Sequence, residues 1–491
     1  MQQLSSLELS RAIMEKKLSP KEAVLSSLRI IEKNNGKLNA FISINPEYAL
    51  AKAEELQKKI NAGEKLSRLA GVPVAVKDNI STKAYKTTCA SKMLENFLPI
   101  YNATVIDRME EAGLIIIGKL NMDEFGMGSS SETGFFGSVK NPWDISRVAG
   151  GSSGGNAAAV VSGGVTLSLG TDTGGSIRQP CSFCNASGIK PTYGAVSRYG
   201  LLAYASSLDQ IGPVGQNIED CAALLEIISG IDNKDSTCIL QKAFNFEKNT
   251  DNCMKGIKIG IPVNYFENGI EADVKNALLN AAKSFKEKGA ELIEFTMPYT
   301  EYLIPSYYII ASAEASSNLS RYDGVKYGYR SASARTINDL YRMSRNEAFG
   351  MEVKRRIMLG SFVLSSGYYE AYYQKALDAQ MLIKLAYKKL FESFDLILSP
   401  VTTGTAYRLG ENINDPMKMY MGDIYTVSIN LAGLPAVSLP CGFDEQGMPV
   451  GMQLIGSAFS EPQLISCARE YQKYSGWHLK RPEDFYDRLQ D

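Results

Sequence analysis

Six consecutive residues, Gly150-Gly151-Ser152-Ser153-Gly154-Gly155, hold two serines in backbone that few side chains shield. A second turn of the same kind, Asp172-Thr173-Gly174-Gly175-Ser176-Ile177-Arg178, follows shortly after. The chain between them reads as a helix from Asn156 to Val161 and a strand from Val165 to Leu169 that runs into Ser176. Two glycine-rich serine turns joined by a helix and an apolar strand place the candidate chemistry on loops at strand ends of an α/β sheet. A serine nucleophile needs a base. The chain has one histidine, His478, close to the C-terminus. The best candidate base is instead Lys77, in Val74-Ala75-Val76-Lys77-Asp78-Asn79. A lysine is a base only when neutral, and burial at the end of an apolar strand is what lowers its pKa.

Each feature has a plainer reading in isolation. Gly-Gly-Ser-Ser-Gly-Gly is also the composition of a flexible turn or a phosphate loop, although the Gly-Lys-Ser/Thr ending of a Walker loop is missing. A lone lysine is usually on the surface. Read alone, neither feature establishes catalysis.

Around these residues the pattern of an α/β enzyme continues. Ser19-Pro20-Lys21-Glu22 is a capping box with proline at the first helical position. A second helix is expected from about Leu50 to Asn61, with Gly63 as its left-handed cap. Strands are expected at Val72 to Val76, Leu114 to Ile117, Ile257 to Ile261 and Phe394 to Ser399. Helices are expected at Thr104 to Ala112, Ile218 to Ile228 and Asp273 to Lys288. Ala436 to Leu439 and Val450 to Leu454 suit a hairpin around Asp444 to Gly447, and Ile231 to Gly256 is polar and irregular. No internal repeat appears.

Composition narrows the function classes. Hydrophobic content of 45% and charged content of 21% are those of an ordinary globular enzyme. A net charge of −1 gives no nucleic-acid-binding signature, so any RNA contact falls to another subunit. Met1 to Lys17 is polar and mixed, and apolar runs such as Leu114-Ile115-Ile116-Ile117 are too short to span a bilayer; a cytoplasmic protein is expected. Eight scattered cysteines fit reduced thiols, and Cys181-Ser182-Phe183-Cys184 lacks the further ligands of a zinc site, so no metal is expected in this chain.

The lysine segment and the two serine loops resemble the amidase signature family, whose members use a Ser-Ser-Lys triad. The likeness extends through Asn141-Pro142-Trp143-Asp144, Lys190-Pro191-Thr192-Tyr193-Gly194, Ser206-Ser207-Leu208-Asp209-Gln210-Ile211-Gly212-Pro213 and Asn430-Leu431-Ala432-Gly433-Leu434-Pro435. The resemblance implies one α/β/α domain over 1–491 around a large mixed sheet. Within it, 1–65 forms a helical N-terminal segment, 66–230 the signature core and 231–491 the substrate side. It implies Ser176 as nucleophile, Ser152 as proton relay on a cis peptide bond, and Lys77 as base. Backbone N–H groups of Thr173, Gly174, Gly175 and Ser176 would form the oxyanion site, with Arg178 bracing the loop.

Within that family the chain most resembles the glutaminase subunits, called A, of bacterial glutamyl-tRNA(Gln)/aspartyl-tRNA(Asn) amidotransferases. That likeness implies Arg356 for the α-carboxylate of glutamine, Asp423 for its ammonium, Tyr307 (or its neighbour Tyr308) as a substrate contact, and Ser129 in the substrate loop. It also implies B and C partner subunits, with ATP, Mg²⁺ and tRNA handled by B and no cofactor in this chain. Read singly, Arg356 pairs with Glu352 on an exposed helix, Asp423 caps a helix and Tyr307 packs in the core. Ala149, Asn156, Cys181, Asn185 and Ala195 stand where the A-subunit pattern has proline, serine, a small residue, glycine and arginine. None removes a triad member. A free-standing amidase and a non-catalytic scaffold are the competing functions.

Overall fold

Apolar residues alternate between two cores along the central strands. Val74 and Val76 face one hydrophobic core while Ala75 faces the other, and Ile116 is likewise opposed to Ile115 and Ile117. Side chains of successive strand residues point to opposite faces, so strands apolar at every position need cover on both sides. The computed structural model, which describes residues 4–486 apart from 241, 247–252 and 268, shows that cover: an eleven-stranded mixed sheet between helical layers.

The strands are β1 Phe41–Ile44, β2 Pro73–Lys77, β3 Ile115–Leu120, β4 Leu167–Asp172, β5 Ser187–Lys190, β6 Gln210–Gly215, β7 Lys258–Pro262, β8 Glu291–Phe295, β9 Leu396–Pro400, β10 Ala436–Phe443 and β11 Pro449–Gly456. They lie in the order β1-β3-β2-β4-β6-β5-β10-β11-β9-β7-β8. Strand β2 runs parallel to β3 and β4, and β7 runs parallel to β8 and β9. The remaining pairs are antiparallel.

The helices expected from capping signals are present. Pro20–Leu38 begins with the reciprocal Ser19–Glu22 capping box. Ile218–Ile228 begins at Asn217, whose side chain accepts the Asp220 N–H. The second helix starts earlier than its apolar face indicates, at Pro46, because Asn45 caps it; Gly63 follows its end at a φ of 74°. Hairpin β10–β11 turns at Asp444–Gly447, closed by Asp444 N–H to the Met448 carbonyl.

Other elements depart from expectation. The N-terminal segment is not wholly helical, since β1 pairs with β3 as the edge strand of the sheet. Strand β6 contains Gly212-Pro213, a sequence that argues against a central strand. Its pairing with β5 stops at Gly188 and Val214, beside the proline that has no N–H to give. Helices Thr300–Asn318 and Met351–Val363 pack on each other. The first contains Pro305 and no clear amphipathic stripe, so neither propensity nor periodicity announces it.

Candidate active site

Strands β2 and β4 are parallel neighbours, with Val76 in register with Leu169. Their carboxyl ends therefore lie side by side, where loops of open α/β sheets gather ligands. Lys77 closes β2, and the turn carrying Ser176 leaves β4 at Asp172. The Gly150–Gly155 loop enters the same place and starts helix Gly154–Val161.

Lys77 has no solvent exposure. Its Nζ donates to Ser152 Oγ at 2.7 Å, to Ser153 Oγ at 2.8 Å and to the Thr171 carbonyl at 3.4 Å. Burial pushes the amine down to about 7, against the opposing pull of Asp123, Asp172 and Asp209. Neutral hydroxyls orient the amine without placing an opposite charge beside it, so burial sets its pKa. The Gly151–Ser152 peptide bond is cis. Ser176 is 8% exposed, and its hydroxyl makes no hydrogen bond among the described residues. The network thus runs from Lys77 to Ser152 and stops short of the Ser176 hydroxyl.

Arg178 fixes the turn from Thr173 to Ser176, the oxyanion loop expected from the sequence. This fully buried guanidinium donates to both Asp172 carboxylate oxygens at 3.0 Å, to the Thr426 carbonyl, to Gln453 and to Asn430. Burial raises the Asp172 carboxyl, but the Arg178 charge and hydrogen bonds outweigh it and hold Asp172 well below the usual carboxylate range. Asp172 also accepts the Gly175 N–H at 2.9 Å. The Gly175 N–H, one of the expected oxyanion donors, is thus already engaged. The N–H groups of Thr173, Gly174 and Ser176 have no partner among the described residues. Gly174 must be glycine, since a Cβ there would meet the Tyr307 ring; Gly175 has a φ of 133° and lies against Thr426.

The expected substrate groups converge beside this loop. Asp423 is buried and accepts hydrogen bonds from Ser129 Oγ at 2.9 and 3.0 Å and from Tyr308 Oη at 2.7 Å. Burial pushes its carboxyl up to about 6, against the Tyr308 and Ser129 hydrogen bonds. Its main-chain carbonyl, and not its carboxylate, receives the N–H groups of Thr426 and Val427. Arg356 does pair with Glu352, at 2.7 Å, but on a buried helix face and not an exposed one. Its guanidinium also lies 4.6 Å from the Tyr308 ring and 5.0 Å from that of Tyr420, and donates to Tyr204. Tyr308 therefore stands between Arg356 and Asp423, while Tyr307 packs on the oxyanion loop. The two adjacent tyrosines have separate roles.

His478 is elsewhere. It lines a cavity of about 460 Å³ beside Leu7, Asp220 and Arg481 that shares no residue with the triad, and burial pushes it down to about 4. No disulfide bond and no group of three metal-ligating side chains occurs among the described residues. No helix among them is long and apolar enough to cross a membrane.

The Amidase family model matches residues 22–465. The chain belongs to the amidase family. This amidase is 55% identical over 473 residues to the A subunit of the glutamyl-tRNA(Gln) amidotransferase of Lachnoclostridium phytofermentans, covering 95% of this chain and 96% of that one. It is 52% identical over 476 residues to the protein of the same name from Listeria welshimeri, covering 97% and 98%. The crystal structure of the A subunit of glutamyl-tRNA(Gln) amidotransferase from Thermotoga maritima superposes with a TM-score of 0.79 at 40% identity, over 96% of this chain and 95% of that one. A bacterial aryl acylamidase superposes with a TM-score of 0.85 at 23% identity, over 98% of each chain, a likeness of fold alone.

Both loop serines orient the Lys77 amine, as their place in the glycine loop leads one to expect, and one further residue of this amidase's site, Thr426, escapes a reading of the sequence. Thr426 joins the two halves of the site: its hydroxyl lies 2.6 Å from the Gly174 carbonyl and its N–H donates to the Asp423 carbonyl. Of the divergent positions, Asn185 adopts the left-handed conformation at φ 66° that glycine usually fills, and its side chain adds hydrogen bonds to the Trp477 and Lys480 carbonyls.

Proposed function

We propose that this amidase is the glutaminase subunit of a tRNA-dependent amidotransferase. The observation that carries the substrate assignment is the Arg356–Tyr308–Asp423 cluster beside the oxyanion loop. Free glutamine presents an α-carboxylate and an α-ammonium, and this cluster offers a guanidinium for the first and a carboxylate for the second.

Ser176 Oγ attacks the γ-carboxamide carbon. As the C–O bond forms, the Ser176 proton passes to Ser152, and the Ser152 proton passes to neutral Lys77. The oxyanion is held by the N–H groups of Thr173, Gly174 and Ser176. On collapse the C–N bond breaks, and the Lys77 proton returns through Ser152 to the departing nitrogen, which leaves as ammonia. Water then adds to the glutamyl ester by the same relay and releases glutamate and Ser176. Ser129 holds Asp423 toward the ammonium end, and Tyr307 keeps the oxyanion loop in place. The ammonia passes to a B subunit, which uses ATP and Mg²⁺ to amidate Glu-tRNA(Gln), and a C subunit clamps the pair.

The test is ammonia release from glutamine by the full-length chain, alone and assembled with B and C subunits, with and without Glu-tRNA(Gln) and ATP. Strong stimulation by the complete mixture is expected. Equal or faster turnover by the lone chain of amides that lack an α-amino group would make it a free-standing amidase instead.

A further inference from the structure

Gln179 is almost wholly buried, three residues after Ser176, and it touches three parts of the site at once. Its side-chain Oε1 accepts the Gly151 N–H at 2.7 Å, immediately before the cis bond to Ser152. Its Nε2 donates to the Ser129 carbonyl at 2.8 Å, and the Ser129 hydroxyl in turn holds Asp423. Its main-chain N–H donates to the Gly175 carbonyl at 2.8 Å, in the oxyanion loop. A primary amide carries an acceptor oxygen and a donor nitrogen at fixed separation, so a single side chain spans the relay loop and the substrate loop.

We propose that Gln179 is a positioning residue that locks the Ser152 relay to the Asp423 end of the substrate site. It touches neither the reacting atoms nor the substrate; it acts through Gly151 and Ser129. The link to glutamine rests on the function proposed above, whereas the link to the relay does not. Alignment of a proton relay tolerates little displacement, and the supporting hydrogen bonds set it. Lost alignment therefore slows any attack by Ser176, including attack on reagents without an α-ammonium. Lost support of Ser129 weakens only ligands that use Asp423.

The experiment uses the full-length chain and a small neutral fluorophosphonate that labels Ser176. It measures the labelling rate and the glutamine concentration that halves it. Gln179→Met keeps length and apolar stem but has neither amide group. It is expected to label about tenfold more slowly or worse, and to need about tenfold more glutamine for protection, the weight of one buried hydrogen bond at each end. Gln179→Glu separates positioning from packing. Protonated, its carboxyl offers the same acceptor and donor as the amide; ionised, it repels the Ser129 carbonyl. Its labelling rate relative to the unsubstituted protein should therefore recover as pH is lowered from about 9 to about 6, across the range of a buried carboxyl. Wild-type labelling and protection in Gln179→Met would overturn the proposal. So would equal losses in Met and Glu variants at every pH, which would mark Gln179 as packing only. Failure of glutamine to protect the unsubstituted protein would sink the glutaminase reading while the labelling rates still decide the relay link.

Discussion

The Lys77 amine sits 2.7 Å from the Ser152 hydroxyl with no access to solvent, and burial brings its pKa to about 7. A base must be unprotonated before it can accept a proton, so activity is absent well below that value and rises through it. The kcat/KM for glutamine is expected to climb tenfold per pH unit below about 7 and to level above it, since this ratio reports free-enzyme ionisations. A pH–rate profile checks this; a flat profile across that range would remove Lys77 as the base.

The same shift has a consequence for stability. The amine has a reference value of 10.5 and a folded value of about 7, so between these the unfolded chain binds more protons. Stability therefore rises with pH across that window, and the cost of burying the amine is full near and below its lower end. Lys77→Met is expected to be inactive yet more stable than the parent by about 2 kcal/mol at neutral pH, less than the full shift because two serine hydroxyls lose their partner. The difference should shrink toward pH 10.5. Denaturant unfolding at two pH values measures it, and a less stable Met variant at neutral pH would contradict the assigned shift.

Ser176→Ala is expected to lower glutamine hydrolysis by about a thousandfold or more. Its hydroxyl has no hydrogen-bond partner among the described residues, so the thermal midpoint should be unchanged. Ser152→Ala removes a hydroxyl that Lys77 uses, and Ser153 remains at 2.8 Å, so the amine stays held while the relay is cut. Retained turnover in the Ser152 variant with loss in the Ser176 variant would show that Ser152 is not on the proton path.

Asp423→Ala should act on binding. The carboxylate is charged only above about 6, so kcat/KM for glutamine should fall further below that value, and this additional limb should vanish in the alanine variant. Loss of an ion-paired hydrogen bond is expected to raise KM by about ten- to a hundredfold with a smaller change in kcat. Unchanged glutamine kinetics in this variant would remove the main support for an α-amino acid substrate.

The residues proposed as the triad stand out in the sequence because they lie in contiguous motifs: a valine-rich strand that ends in lysine, and two glycine turns that carry serine. Capping signals such as Ser19–Glu22 and Asn217 are legible for a similar reason, since donor and acceptor lie within one turn. What holds the site together is not. Thr426 meets Gly174, and Gln179 meets Ser129 and Gly151, through main-chain atoms distant in sequence, and a backbone partner leaves no trace in residue identity. The Gly175 N–H is taken by Asp172 of its own turn, a local pairing that a reading of the turn as a row of free N–H groups overlooks. Tyr307 and Tyr308 are neighbours of one type, and only helix rotation separates the loop-packing ring from the one that bonds Asp423.

Asn156 lies in helix Gly154–Val161 directly behind the two loop serines, fully buried, and neither its Oδ1 nor its Nδ2 has a partner among the described residues. A desolvated amide without hydrogen bonds destabilises a fold by more than its packing returns. Serine, the residue common at this position in the A-subunit pattern, has a single hydroxyl that in a helix can bond the carbonyl one turn back. Asn156→Ser therefore exchanges two orphaned groups for one satisfied group and leaves a small void. The expected net effect is a gain of about 1 kcal/mol, seen as a raised denaturation midpoint with the slope unchanged. Labelling of Ser176 should stay at the parent rate, because the Asn156 side chain reaches no member of the Lys77 network. A loss of stability would mean that this amide has a hydrogen-bonded role, and slower labelling would place that role at the relay.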